Sequence, residues 1–320
     1  MKHLGRGGFL KGAFGLMATA SLPAAGREDG AGDAFSRRGP FERLTLAFAH
    51  VNIGARRPFS VLHISDTHLT AAYSDEDVAR SGVAAKRTIH FGGRQEEALR
   101  DSLEWAKLNV DFVLHTGDVI DWQSRANLDL VRKYYGKSVF GTMGNHEFYL
   151  GMSADAQGCV ESYKERSWRV LGDSFPVDAR FDSKLVNGVN FICLDNAFGT
   201  VQPDQVERFR KEAAKGLPIV LCMHVPVMTP EIWRARCRYW QGCNTKFTSD
   251  VPLEPSDDFA RQRNDRTTCE FYDYLKGEAL LKGIFAGHLH FMAEEQFSPT
   301  ARQYVVGGNY LFCGREILFT

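Results

Sequence analysis

A surplus of either charge is absent from this sequence: 39 basic residues face 39 acidic ones. No global field therefore exists to gather nucleic acid or an anionic membrane by bulk attraction, and any recognition of phosphate must come from a local site. An uninterrupted apolar run of roughly 18 residues, the length a bilayer-spanning helix needs, is also missing. No C-x-x-C pair occurs, so a thiolate zinc site is not expected. The cysteine total of seven is odd and forbids complete pairing. Cys193, Cys222 and Cys313 sit in apolar runs and read as small buried thiols, whereas Cys237 and Cys243 fall in one polar stretch and could close a short disulfide after export. What is present is globular in character: 320 residues, 44% hydrophobic and 24% charged, enough chain for a sizeable core without staples.

The N-terminus stands apart from the rest. Residues 1–25 open with Lys2, His3 and Arg6, continue through Phe9, Leu10, Phe14, Leu16 and Met17, and reach small residues at Ala18, Ala20, Ala24 and Ala25. Basic, then apolar, then small is the order of a secretory signal peptide. The run Arg6-Gly7-Gly8-Phe9-Leu10-Lys11 resembles a twin-arginine export signal, with Gly7 in the place of the second arginine. Residues 26–40, rich in Gly, Asp, Arg and Ser, read as a linker. The expected organisation is thus an exported chain whose residues 41–320 form one domain.

Within that domain, β-rich runs end abruptly in polar residues. Phe59 to Ser65 stops at Asp66, Phe112 to Thr116 stops at Gly117-Asp118, and Val139 to Met143 stops at Gly144-Asn145-His146. Further runs lie at Val189 to Leu194, at Ile219 to Met223 ending in His224, and at Gly283 to Ala286 ending in Gly287-His288-Leu289-His290. Between them, Arg94 to Leu108 and Pro203 to Lys215 carry the spacing of amphipathic helices. Strand, loop and helix in alternation predict an α/β fold with a largely parallel sheet, its functional groups gathered at the carboxyl ends of the strands.

Those strand ends carry a common chemistry. Asp66 and His68 stand two apart, so a turning segment can aim both at one point, and carboxylate with imidazole suits divalent transition metals. Asp118 follows a glycine that lets the backbone bend sharply, leaving a carboxylate able to bridge two cations. Asn145, His224, His288 and His290 complete seven oxygen and nitrogen donors. Any one of them alone reads as a helix cap or an ordinary histidine. Seven at the ends of successive strand-like runs do not.

In order along the chain, Asp66-Thr67-His68, Gly117-Asp118-Val119-Ile120-Asp121, Gly144-Asn145-His146-Glu147, His224 and Gly287-His288-Leu289-His290 resemble the five blocks of the calcineurin-like metallophosphoesterases, over about residues 59 to 319. The resemblance implies a four-layer α/β/β/α sandwich built on two mixed sheets. It implies two divalent ions, manganese, iron or zinc, one held by Asp66, His68, Asp118 and His290 and the other by Asp118, Asn145, His224 and His288. Two cations about 3.5 to 4 Å apart can hold a bridging hydroxide at neutral pH and spread the charge of an in-line displacement. His146 resembles the family's general acid, and Asp121 the carboxylate that orients it. The implied function is hydrolysis of a small phosphate monoester or diester, with no stable nucleic-acid complex. The alternative is a catalytically silent relative that keeps the fold as a binding module.

Departures from the pattern narrow it. Asp121 stands where purple acid phosphatases carry a tyrosine ligand, and Trp122 where the Ser/Thr protein phosphatases carry an arginine. Residues 70–93 read as an inserted loop near the metals, with His90 either approaching substrate or lying on the surface. A second insertion, 229–268, interleaves aromatics with Arg234, Arg236 and Arg238, which could stack a base and pair with a phosphate, or form an ordinary packed loop. Together with Asn145 and His146, these arginines are the candidate substrate contacts.

The export reading makes the first prediction. Protein isolated from its native cell should begin near Ala20 to Ala25, and N-terminal sequencing that finds Met1 or Lys2 in a cytoplasmic fraction would refute it.

Overall fold

The computed structural model describes residues 41–136, 138–150, 161–239 and 265–320. The signal-like segment and the linker lie outside these residues, as do Cys243 and the greater part of the second insertion. The strands are β1 (Thr45–Val51), β2 (Phe59–Ile64), β3 (Phe112–His115), β4 (Val139–Gly141), β5 (Phe181–Val186), β6 (Val189–Leu194), β7 (Ile219–Cys222), β8 (Leu281–Ala286), β9 (Ala293–Gln296), β10 (Arg302–Val305) and β11 (Cys313–Phe319). The helices are α1 (Asp77–Arg80), α2 (Val83–His90), α3 (Gln95–Asn109), α4 (Arg125–Tyr134), α5 (Glu161–Lys164), α6 (Trp168–Gly172), α7 (Pro203–Ala213), α8 (Pro230–Tyr239) and α9 (Arg266–Gly277). No helix among the described residues is long and apolar enough to cross a membrane.

One sheet runs β1-β11-β2-β3-β4 and the other β5-β6-β7-β8-β10-β9. Both are mixed, with parallel pairs outnumbering antiparallel ones in each. The pairs β2 with β11, β5 with β6 and β9 with β10 are antiparallel, and the remaining neighbours are parallel. Every residue of β6 is buried, as is every residue of β3 and β7, which is why these strands read as continuous apolar runs. The sheets face each other across one core. Phe59, Val61, Leu114 and Phe140 of the first pack with Phe191, Val220, Cys222 and Phe285 of the second. The outer face of the first sheet is covered by α3 and α4 through Leu99, Leu128 and Val131. That of the second is covered by α7 and α9 through Phe209, Phe271 and Leu275. Helix, sheet, sheet, helix is the resulting layering.

Local signals start the covering helices. Pro203 opens α7, where its fixed φ is preorganised and its missing N–H is no loss, and the Gln205 side chain accepts the Gln202 amide at 2.8 Å. Ser124 accepts the Asn127 amide at the start of α4 and Asp265 the Thr268 amide at the start of α9. The segment 70–93, expected as a loop, instead holds α1 and α2. Strands β2, β3 and β4 run parallel, as do β7 and β8, so the segments that follow them leave each sheet at a common edge.

Phe191 tests the inter-sheet core, since its ring lies 5.3 Å from that of Phe112 and 5.4 Å from that of Phe319. Phe191→Ala should lower the unfolding free energy by about 3 to 5 kcal/mol, read from the urea midpoint. A loss below about 1 kcal/mol would mean that the sheets do not close on this ring.

Candidate metal centre

The segments after β2, β3 and β8 bend in an unusual way. Asp66, His68, Asp118, His288 and His290 all take φ between 51° and 67°, the left-handed region that side chains other than glycine rarely enter. Such residues persist only where the surroundings hold them. Here the loop after β2 is bound to the loop after β3: Asp66 N donates to Gly117 O, His68 N to Asp118 O, Leu69 N to Val119 O and Asp121 N to Leu69 O, each at 2.9 Å. Each D-x-H or H-x-H pair thereby turns two side chains to one side. Gly117, at φ 97°, has no room for a Cβ, which would meet the backbone of Gly144 and the ring of His224.

Each of two buried carboxylates has one oxygen tied by the main chain and the other facing imidazoles. Asp66 Oδ2 accepts the His288 amide at 2.8 Å, while its Oδ1 has no hydrogen-bond partner and lies 3.3 Å from His290 Nε2. Asp118 Oδ1 accepts the His146 amide at 2.9 Å, while its Oδ2 lies 3.2 Å from His224 Nε2 and 3.6 Å from His68 Nε2. His68 Nε2 and His290 Nε2 are 3.1 Å apart. His224 Nε2 stands 3.2 Å from Asn145 Oδ1 and 2.8 Å from His288 Nδ1. The other ring nitrogens are engaged: His224 Nδ1 with the Thr116 carbonyl at 2.7 Å, His68 Nδ1 with Asp121 and His290 Nδ1 with the Tyr310 hydroxyl at 3.3 Å. Such outer bonds leave Nε2 as the donor atom.

The residues fit a pair of cations. Donor atoms of Asp66, His68 and His290 lie within 4.8 Å of one another, as do those of Asp118, His224 and His288. Asp118 Oδ2 stands between the two groups. His68, Asp118 and His146 meet the same distance limit, so His146 also reaches the centre. The buried Asp66 Oδ1, which faces the cluster, has no hydrogen-bond partner, and a buried polar atom left unpaired costs about 1 to 3 kcal/mol unless something satisfies it. Burial would push both aspartates up, but His290 beside Asp66 and His224 beside Asp118 hold them well below the usual carboxylate range. A buried carboxylate pair that favours its charged form suits a cation.

Next to the donors lies a second layer of buried charge. Asp121 is fully buried, and its Oδ1 is 3.0 Å from His146 Nδ1 and 3.1 Å from His68 Nδ1. Burial opposes the charged form of His146, yet Asp118 and Asp121 together raise it to about 9; bound cations would offset part of the Asp118 contribution. Glu147, also fully buried, accepts four main-chain N–H groups: Asp118 at 2.8 Å, Val119 at 2.6 Å, Ile120 at 3.1 Å and Gly144 at 2.6 Å. Burial and then the charge of Asp118 push its carboxyl up to about 7.

The structure brings all seven expected donors, His146 and Asp121 to one place. Trp122 is wholly buried and takes no part in the centre, and His90 is exposed at the end of α2. The three arginines do not converge. On α8, Arg234 is exposed and paired with Glu231, Arg236 is buried with its guanidinium 4.9 Å from the Trp233 ring, and Arg238 borders a cleft shared with Glu231 and Glu294. Cys313 is only half-buried, unlike Cys193 and Cys222. Sequence reasoning missed Glu147 as a clamp, although it stands inside the G-N-H-E block. It also missed Arg87, Phe91, Tyr149 and Tyr310, of which Tyr149 accepts a 3.0 Å hydrogen bond from the Asn145 amide.

The family model of the calcineurin-like phosphoesterases matches residues 59–292. The chain belongs to that family. Among curated proteins none matches the sequence. Solved structures similar to this metallophosphoesterase include a dimetal phosphatase from Danio rerio, with 15% identity, TM-score 0.46 and coverage of 79% of this chain and 88% of the other. A calcineurin-like phosphoesterase from Bacillus subtilis has 13% identity and TM-score 0.41, covering 79% and 82%. A phosphopantetheinyl hydrolase from Mycobacterium tuberculosis has 14% identity and TM-score 0.39, covering 79% and 91%.

The Glu147 clamp generates a prediction for this metallophosphoesterase. Glu147→Gln keeps the shape but sets an NH2 donor against N–H donors, and should cost about 2 to 3 kcal/mol of stability along with affinity for divalent ions. Denaturation with and without manganese checks it, and an unchanged midpoint in both conditions would sink it.

Proposed function

We propose that the protein hydrolyses a small phosphate ester, a monoester or a diester, at a centre holding two divalent ions. The observation that carries this reading is the pair of buried donor groups that share Asp118 Oδ2. Asp66, His68, Asp118 and His290 would hold one ion, and Asp118, Asn145, His224 and His288 the other. The mixture of imidazole, carboxylate and amide donors suits manganese, iron or zinc. When bound, the two ions supply Lewis-acid polarisation of a phosphoryl oxygen and an activated water at neutral pH.

The chain's own groups do the rest. Main-chain bonds from His146 and His288 fix the two carboxylates, so the donors are preorganised rather than gathered by the metal. Tyr149 holds the Asn145 amide nitrogen, which turns Oδ1 toward His224. His146 is anchored through Nδ1 on Asp121, so Nε2 is the atom that can give a proton to the departing alkoxide as its P–O bond breaks. The basic, apolar and small order of residues 1–25 supports an exported, periplasmic or extracellular enzyme.

Protein reconstituted with manganese should carry two ions per chain by elemental analysis and turn over p-nitrophenyl phosphate or bis-p-nitrophenyl phosphate. His146→Ala should keep both ions and lose about 10² to 10⁴ in rate on an ester with an alkyl leaving group. Full occupancy with neither aryl ester hydrolysed would make the protein a silent binding module. Loss of an ion in His146→Ala would make His146 a ligand.

A further inference from the structure

Asp121 serves two imidazoles with one carboxylate oxygen. Its Oδ1 stands within 3.1 Å of the Nδ1 atoms of both His68 and His146, and its main-chain oxygen lies 3.0 Å from the same His146 Nδ1. A carboxylate with two free oxygens would have no reason to crowd both rings onto one of them. The reason comes from the segment inserted before α3. Arg87, on α2, donates from Nε to Asp121 Oδ2 at 2.7 Å and from Nη2 to Oδ1 at 2.7 Å. This two-pronged grip removes Oδ2 from the histidines and fixes the rotation of the carboxylate.

The arginine is itself held. Its guanidinium lies 4.7 Å from the centre of the Phe91 ring, and the same ring stacks on His68 at 4.3 Å and 11°. Thr88, the next residue of α2, bonds through its hydroxyl to that of Thr70 at 2.6 Å, two residues beyond His68. Gln95 donates to the same Thr70 hydroxyl at 3.2 Å. Helix α2 is thus tied to the loop that carries two of the donors, and Arg87 reaches Asp121 from a helix fixed relative to the centre.

We propose that Arg87 is a positioning residue: by gripping both oxygens of Asp121 it fixes the carboxylate at the one rotation that aims His146 at the leaving group. The inserted segment thereby sets the alignment of the acid without touching substrate. This rests on the reading of His146 as leaving-group acid given above. A lysine at this position would keep the charge but, as a point donor, could not fix the rotation.

The test compares the wild type with Arg87→Lys, Arg87→Gln and Arg87→Ala, each loaded with manganese and checked for two ions per chain. Rates are measured on whichever p-nitrophenyl ester the protein turns over and on the matching alkyl ester. A p-nitrophenolate leaves without a proton, so Arg87→Gln should change that rate by less than about threefold. On the alkyl ester kcat should fall by about 10- to 100-fold, part of the full effect of a positioned acid, with KM unchanged and Arg87→Lys recovering only a fraction. Crystal structures of the variants should show Asp121 turned, with Oδ1 beyond about 3.2 Å from one of the two Nδ1 atoms. Equal losses on both esters, a rise in KM on both, which would make Arg87 a phosphate ligand, or an Asp121 unmoved in Arg87→Ala would each overturn the proposal. If the wild type hydrolyses neither ester, the functional reading fails, and the clamp is then decided by the structures alone.

Discussion

Four main-chain N–H groups converge on the carboxylate of Glu147, and the centre depends on that convergence. Three of them belong to the turn after β3 and one to the turn after β4, so a single buried side chain joins the two loops that carry Asp118, Asn145 and His146. Without an acceptor there, the left-handed turn at Asp118 would leave several donors buried and unpaired, each at a cost comparable to a lost hydrogen bond. The strained backbone of the donor residues is therefore not independent of Glu147. The loop geometry that aims Asp118 Oδ2 at both histidine groups exists because a neighbouring carboxylate has absorbed the amides that the turn exposes.

The centre also concentrates negative charge in the protein interior. Asp66, Asp118, Asp121 and Glu147 are all buried, and burial of an isolated carboxylate is strongly unfavourable. Each is offset differently: Asp121 by Arg87, Glu147 by amides, and Asp66 and Asp118 by one amide each and by surrounding histidines. Only the last two keep an oxygen turned toward the Nε2 atoms of the histidine cluster. The carboxylates with every oxygen engaged are fixed in place, and those with one oxygen in reserve are the proposed ligands.

The part of this arrangement that could be read from the sequence is the part that obeys a period or a spacing. Strands β3, β6 and β7 are buried on both faces, so they appear as continuous apolar runs, and a polar residue ending such a run is conspicuous. Strand β9, Ala-Glu-Glu-Gln, has no such pattern and is defined by its pairing with β10. Strand β11 pairs with β2 and β1 from the far end of the chain, a relation that no local window carries, and its antiparallel pairing with β2 interrupts an otherwise parallel sheet. Arg87 gave no signal because an arginine on a short helix looks like a solvated one. The cluster of Arg234, Arg236 and Arg238 looks like one group in the sequence but is divided by the helix. Residues two apart on a helix are turned by about 200°, so α8 buries the middle arginine and exposes the other two.

The strand order also has a consequence for the emergence of the chain during synthesis. Among the described residues, strand β1 is paired with β11 alone, in parallel register from Thr45 with Cys313 to Val51 with Phe319. Until the last strand arrives, β1 has no neighbour, and β2 presents an open edge on the side away from β3. The remaining strands, β2 to β4 and β5 to β10, and all the proposed metal donors lie earlier in the chain. A nascent chain can thus bring the donors together while one edge of the first sheet stays unsealed, and an unsealed edge is a template for pairing with another chain. The interval before β11 docks is the period in which this fold is most exposed to misassembly.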